Sequence, residues 1–488
     1  MSAGKDRLEE LRALKAAGRL VLKARASAPP DREGAPAGPP ETEEPLDPAK
    51  AGDGAPGPFV PVATGAGPAW SWRTVYPADF VHGREDPGTW WAALERSLAL
   101  LAAVAGPAGR RQPVPPGPGS LLFLDLETTG LAVAAGHRPF LAGLAWFGPA
   151  PGGGGRPALH VEQLLIPDLE PGTERGWLAA LARRVVERPW LVTFNGRGFD
   201  WPMLETRWRW NREDPPALRA HFDLLYPARR LWAAPGRRVN LRALEQRLLG
   251  FTRRGDVAGA EIPARFADFL HAASGAAGSP PAEALSILAP VLRHNRLDLL
   301  SLVGITARVG GWLAGGPARA VRWEEALAAG REWERVDGAV AVAWYERALA
   351  LASGRAAVSA IARRLVPLYR RQKRWAEAVA LLAALCDAHH PLAPIEPWLD
   401  LAELWLQLGD RERAAHSLAE ARRLWERRRR LWRVAPATAK AGPAAGQAGG
   451  AGSSGAAAAA LPPGPLGRRM EQLEGRLAAG GHRQARAL

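Results

Sequence analysis

Four carboxylates and one imidazole stand out by type and spacing. Asp125 and Glu127 sit two apart in the run Leu121-Leu122-Phe123-Leu124-Asp125-Leu126-Glu127-Thr128-Thr129-Gly130. The apolar run reads as a buried strand, where residues i and i+2 share a face, so both carboxylates leave the sheet together. Two like charges side by side near a core are costly unless something neutralises them, and hard divalent cations prefer carboxylate oxygen. Asp200 ends Asn195-Gly196-Arg197-Gly198-Phe199-Asp200. It follows another strand-like run and so lies at the carboxyl edge of a sheet, where sites in open α/β sheets gather. Asn195 and the two glycines permit a tight turn that would bring Asp200 toward Asp125. His294 and Asp298 are four apart in a helical pattern, one turn apart on one face. Together the five form the set a two-metal phosphodiesterase needs, with His294 as a base that titrates near neutral pH. Taken singly each has a plainer alternative: a solvated strand end, a helix cap at Asp200, a surface His–Asp pair.

Hydrophobic patterning supplies the elements that must position these groups. After Gly130, strand-like runs fall at 140–147, 159–166, 190–194 and 221–225, with a glycine-rich hairpin loop at 149–157. Helical patterns fall at 173–187, from Asp200 to about 210, and at 240–249, 263–272 and 281–309. Strands first, then strands interleaved with helices, predict a mixed sheet flanked by helices. From 318 to about 432 the pattern is all helix. Similar Ala/Leu-rich helices recur at 341–350, 376–385 and 412–421, roughly 35 residues apart, the period of tetratricopeptide helix pairs. An ordinary helical bundle is the alternative.

Five segments are expected. Residues 1–68 are a short N-terminal helix and a Pro/Gly/Ala-rich disordered linker; 69–118, rich in Trp, Tyr and Phe, pack as a lead-in onto the next domain. Residues 119–312 form the sheet domain, 318–432 the helical domain, and 433–488 a low-complexity tail with a short terminal helix at 468–477. The 488 residues carry a net charge of +15, almost all the positive charge being arginine. Guanidinium forks suit phosphate, and GC-rich coding bias would give the same composition. The run 422–433 is densely basic with Trp425 and Trp432 interleaved, which could bind a phosphate backbone or simply be a solvated helix end. One cysteine, Cys386, excludes an intrachain disulfide and a paired-thiolate zinc site. No apolar run long enough to span a membrane and no signal-peptide core are read, so no membrane association and a cytoplasmic location are expected.

The motifs occur in an order that resembles a known family. Phe123 to Leu131, Thr193-Phe194-Asn195 through Asp200-Trp201-Pro202, and His294-Asn295-x-x-Asp298 are similar to the three motifs of the DEDD (DnaQ-like) superfamily of 3′–5′ exonucleases. Phe140 to Leu144, Phe222 to Leu225, Arg229 to Trp232, Leu241 to Gly250, and Asp256-Val257-x-Gly259-x-Glu261-Ile262-Pro263 resemble the YprB-type ribonuclease-H-like branch. The resemblance covers about 119–312. It implies an α/β fold, a ribonuclease-H-like mixed sheet flanked by helices, followed by an all-α tetratricopeptide-like helical repeat domain. It implies that Asp125, Glu127, Asp200 and Asp298 hold two divalent cations, Mg²⁺ or Mn²⁺, and that His294 orients or deprotonates the attacking water. His294 precedes Asp298 by four positions, the spacing of the tyrosine branch, where the histidine branch uses five.

Thr128, Asn195, Arg229 and Arg230 are candidates for substrate contact, with Arg237 and Arg238 on the same expected path or on a solvated basic face, and Asp223 a candidate support, cap or direct metal ligand. The expected activity is a metal-dependent nuclease on single-stranded or fraying DNA or RNA, running 3′ to 5′, with the repeats meeting a protein partner. The alternative is a non-catalytic nucleic-acid-binding scaffold on the same fold.

Overall fold

The computed structural model describes residues 59–105, 112–130, 137–151, 155–232, 239–274, 280–386, 394–434 and 464–484. The expected N-terminal helix, Arg237, Arg238 and the low-complexity stretch 435–463 lie outside them. The chain divides into two compact units, 1–319 and 320–488.

The first unit opens with β1 (Val60–Thr64) and β2 (Gly67–Tyr76), then α1 (Pro87–Glu95) and α2 (Leu98–Val104). β3 (Leu121–Thr128), β4 (Pro139–Gly148) and β5 (Ala158–Leu165) follow, then α3 (Pro171–Glu187), β6 (Trp190–Thr193), α4 (Asp200–Trp210) and β7 (Ala220–Asp223). Four helices complete it: α5 (Leu225–Trp232), α6 (Leu241–Leu244), α7 (Ile262–Ala272) and α8 (Ala282–Ala314). The seven strands form one sheet in the order β1-β2-β5-β4-β3-β6-β7. β1 to β5 pair antiparallel, while β3–β6 and β6–β7 are parallel, which makes the sheet mixed.

Residues 60–64, expected in a linker, and the start of the Trp-rich lead-in, through Tyr76, are strands of this sheet. β1 is an edge strand, where Pro61 needs no ladder donor and Gly65 and Ala66 turn the chain into β2, so a composition that reads as linker still pairs. Gly176 of α3 sits against this hairpin; a Cβ there would lie 2.4 Å from the Pro68 carbonyl oxygen.

The alternation of β3 is realised. Leu122, Leu124 and Leu126 face α3 and α4 with Leu144, Trp146, Trp177, Leu181 and Leu204. The opposite face of the sheet, with Phe140, Leu141 and Leu165, packs on Phe266, Phe269, Leu288, Val291 and Leu292 of α7 and α8. Asp125 and Glu127 therefore point toward α8. α8 also corrects the reading that no segment could cross a membrane: by length and composition it could, but 72% of its apolar window is buried inside the fold. Its apolar residues cover a sheet, as in a core helix.

The second unit is helical: α9 (Trp323–Trp333), α10 (Gly338–Leu351), α11 (Arg355–Arg371), α12 (Trp375–Leu385), α13 (Glu396–Leu408), α14 (Arg411–Val434) and α15 (Pro465–Gln484). Each packs on the next. Ala348, Ala378 and Ala414 are fully buried, as close helix crossings require. Gly409 adopts φ 83°, and Asp410 caps α14 by accepting from the Arg413 N–H (2.9 Å). The terminal helix runs beyond the expected 468–477 at both ends, and its Met470 and Leu473 complete a core with Leu399, Leu418 and Leu424. Of the basic run, Arg422 pairs with Glu474 (2.8 Å), Arg423 with Glu420 (3.1 Å), and Arg429 stacks on Trp425 (4.6 Å).

Candidate active site

β3 delivers Asp125 opposite Gly143 of β4 and Glu127 opposite Leu141. Asp125 is partly buried; Glu127 is 8% exposed. The ladder shifts register between Glu127 and Thr128, which ends regular pairing beside the carboxylates.

Asp200 arrives by the turn after β6. Asn195 takes φ 71°, in the left-handed region. Asp223 clamps the turn, accepting from the N–H groups of Asn195 (2.7 Å), Arg197 (3.0 Å) and Leu225 (3.0 Å). Asp223 thus acts as the cap of this turn, one of its three expected roles. Asp200 is the first residue of α4, and its Oδ1 accepts from the Leu126 N–H of β3 (3.2 Å), tying it to the strand between the other two carboxylates.

α8 brings the last pair. His294 Nε2 lies 3.1 Å from Asp298 Oδ2, and the ligand atoms of Glu127, His294 and Asp298 all lie within 4.8 Å of one another. Burial pushes the Asp125 carboxyl well above its ordinary pKa, with the charges of Asp298, Glu127 and Asp200 adding to it. Burial raises Glu127 to about 8 and Asp200 to about 7. For His294, burial opposes the cation, but hydrogen bonds to Asp256 and Asp298 outweigh it and lift the pKa to about 10. Asp298 is held below its ordinary value despite burial, through His294 and Arg253. The five expected residues thus share one electrostatic field.

Of the four expected substrate contacts, three have partners of their own. The Thr128 hydroxyl donates to the Gly130 carbonyl (2.5 Å), and Arg230 donates to the Val104 carbonyl. Asn195 serves the turn, and Arg229 is exposed on α5. Short-range turn chemistry and helix docking take up three of the four.

Four supporting residues were missed. Asn295, fully buried on α8, donates Nδ2–H to Asp125 Oδ2 (2.9 Å). Its Oδ1 accepts from Gln163 Nε2 of β5 (3.0 Å), which fixes the amide with its donor toward Asp125. On the other side Arg253, 1% exposed, pairs with Glu245 (2.9 Å), Asp256 (3.2 Å) and Asp298 (2.5 Å). Asp256 Oδ1 accepts from His294 Nδ1 (2.9 Å). Asn295 and Asp256 stood inside the quoted motifs, which was the available signal; Arg253 and Gln163 gave none.

Gly143 makes room for this arrangement. A Cβ there would lie 2.1 Å from Asn295 Oδ1, which Gln163 and Asp125 pin from both sides. Gly143→Ala is expected to cost about 1–3 kcal/mol, the range for forcing an extra carbon into a packed site. Chemical denaturation checks it, and an unchanged midpoint would show that Asn295 moves freely.

The donor set fits divalent cations. Carboxylate oxygens of Glu127 and Asp298 meet a ring nitrogen of His294 at one place, with Glu127 nine-tenths buried, while Asp125 and Asp200 stand outside that close group.

Comparison with known proteins agrees with this geometry. Residues 122–309 match the family model of the RNase_H superfamily. The chain is 36% identical over 188 residues to the uncharacterized protein YprB of Bacillus subtilis, a match covering 38% of this chain and 41% of that relative. The chain thus aligns with about two fifths of the relative's length. The seven-stranded mixed sheet, its flanking helices and the family match together identify residues 122–309 as an RNase H-like domain.

Proposed function

We propose that the protein is a metal-dependent nuclease that hydrolyses phosphodiester bonds of single-stranded or fraying nucleic acid, working from the 3′ end. The RNase H-like fold points to a nucleic-acid-cleaving hydrolase. The observation that carries the finer reading is the meeting of Asp125, Glu127, Asp200 and Asp298, from β3, α4 and α8, with burial raising three of their four pKa values. Ionising such a cluster is costly without cations, so carboxylates at these positions make physical sense as ligands.

Asp125, Glu127, Asp200 and Asp298 would hold two divalent cations, Mg²⁺ or Mn²⁺. Bound there, the ions would supply Lewis-acid stabilisation of the charge that develops on the phosphodiester oxygens. The chain's own groups set the stage. Asn295 holds the Asp125 carboxylate, Leu126 N–H holds Asp200, and Arg253 occupies one oxygen of Asp298 and leaves the other facing His294. His294 belongs to the same catalytic group. The helical unit, as a tetratricopeptide-like stack, is proposed to meet a protein partner, and the location to be cytoplasmic.

The test uses the full chain, Mn²⁺ or Mg²⁺, and 5′-labelled DNA and RNA single strands with free or blocked 3′ ends. Progressive shortening of strands with free 3′ ends is expected. Absence of cleavage on every substrate would overturn the nuclease reading in favour of a binding scaffold; cleavage indifferent to the block would replace the exonuclease with an endonuclease.

A further inference from the structure

We propose that His294 is itself a metal ligand, so that Glu127, His294 and Asp298 form a mixed nitrogen–oxygen site for a transition-metal cation, Mn²⁺ in preference to Mg²⁺. The inference rests on the metal centre proposed above and changes the part His294 plays in it.

Three observations carry it. First, one ligand atom from each of Glu127, His294 and Asp298 falls within 4.8 Å of the other two, close enough for one ion to touch all three. Second, Glu127 is nine-tenths buried, with its carboxylate beside His294 and Asp298. A buried carboxylate charge is costly unless something neutralises it, and a cation at this spot does so. Third, His294 is mounted as metal-binding histidines are. Its Nδ1 is spent on Asp256 (2.9 Å), which leaves Nε2 as the atom facing the carboxylates. A carboxylate behind the ring fixes orientation and raises ligand basicity.

Asp256 is itself braced by Arg253 (3.2 Å) and by Arg242 (3.2 Å), so the ring is held from behind by two guanidinium groups. The spacing matters too. A histidine four residues before Asp298 on one helix stands a turn away with its ring beside the carboxylate, and two ligands at i and i+4 commonly share an ion. Imidazole nitrogen suits transition metals, whereas Mg²⁺ favours oxygen ligands and gives up its waters reluctantly. The proton shared between His294 Nε2 and Asp298 Oδ2 would be displaced when the ion enters.

Pulsed electron paramagnetic resonance of the full chain with substoichiometric Mn²⁺ reads the bond directly, because a coordinated imidazole nitrogen modulates the echo. Wild type is expected to show ¹⁴N modulation that His294→Gln removes. Calorimetry should show Asp256→Asn weakening Mn²⁺ about 10–100-fold, the usual cost of losing a carboxylate behind a ligating histidine. His294→Gln should weaken Mn²⁺ more and Mg²⁺ far less. Mn²⁺ bound without ¹⁴N modulation, or with affinity unchanged in both variants, would overturn the inference and leave the nuclease reading standing. No Mn²⁺ or Mg²⁺ binding by folded wild type would overturn both. Circular dichroism establishes that each variant is folded, and Asp256→Asn carries the test if His294→Gln is not.

Discussion

Asp125→Asn is expected to lower nucleic-acid cleavage by on the order of 10³-fold, about 4 kcal/mol of lost transition-state stabilisation. The same change should stabilise the metal-free chain. The asparagine oxygen can still accept from Asn295 Nδ2, so the local hydrogen bond survives. What disappears is a carboxylate whose ionisation is opposed first by burial and then by the charges of Asp298, Glu127 and Asp200. One substitution thus moves activity down and melting temperature up, a combination that damage to folding does not produce. Cleavage assays and thermal melts in EDTA check both signs; a variant that keeps wild-type activity would remove Asp125 from the centre.

The second large effect is an alkaline loss of stability that a divalent cation reverses. Glu127 titrates at about 8 and Asp200 at about 7 in the folded chain, against roughly 4 for both when unfolded. Folded pKa values above the unfolded ones mean that the native state holds extra protons, so stability falls as pH rises from about 4 to 8. His294, raised to about 10, adds to the fall above about pH 6.5. Two other histidines act oppositely. Burial lowers His82 and His221 to about 3, so they cost stability as pH drops from about 6.5 toward 3.

The two histidines offset part of the loss from Asp125, Glu127 and Asp200 below about pH 6.5, and above it nothing in them opposes the fall. From pH 6.5 to 8, Glu127 and His294 together account for about 4 kcal/mol, on the order of 10 °C in melting temperature. Saturating Mn²⁺ should restore most of this at pH 8 and little at pH 5, where bound protons already neutralise the cluster. Scanning calorimetry in EDTA and in Mn²⁺ at both values would show it; equal metal-induced shifts would mean that the carboxylates are not its ligands.

Much of the centre was legible because its geometry is local. Period-two alternation put Asp125 and Glu127 on one face, a helical repeat of four paired His294 with Asp298, and the Asn195 turn placed Asp200 at a strand end. Arg253 escaped because nothing around it in sequence shows that Glu245, Asp256 and the remote Asp298 will converge on one guanidinium. Arg230 looked available for phosphate and instead ties α5 to a carbonyl of α2. The β1–β2 hairpin was lost to its Pro and Gly content, which marks a linker when read alone and an edge strand when a partner stands beside it. In the helical unit the small residues were visible in advance, while the docking of α15 depends on contacts across the intervening stretch.

That hairpin bears on where the domain begins. The family match starts at residue 122, yet β2 pairs with β5 along seven residues. A fragment cut at the match would bare the backbone of β5 along that length, leaving a row of unpaired amides and carbonyls open to a neighbouring molecule. The functional unit for expression therefore starts no later than Phe59, and the first strands serve as a seal on the sheet.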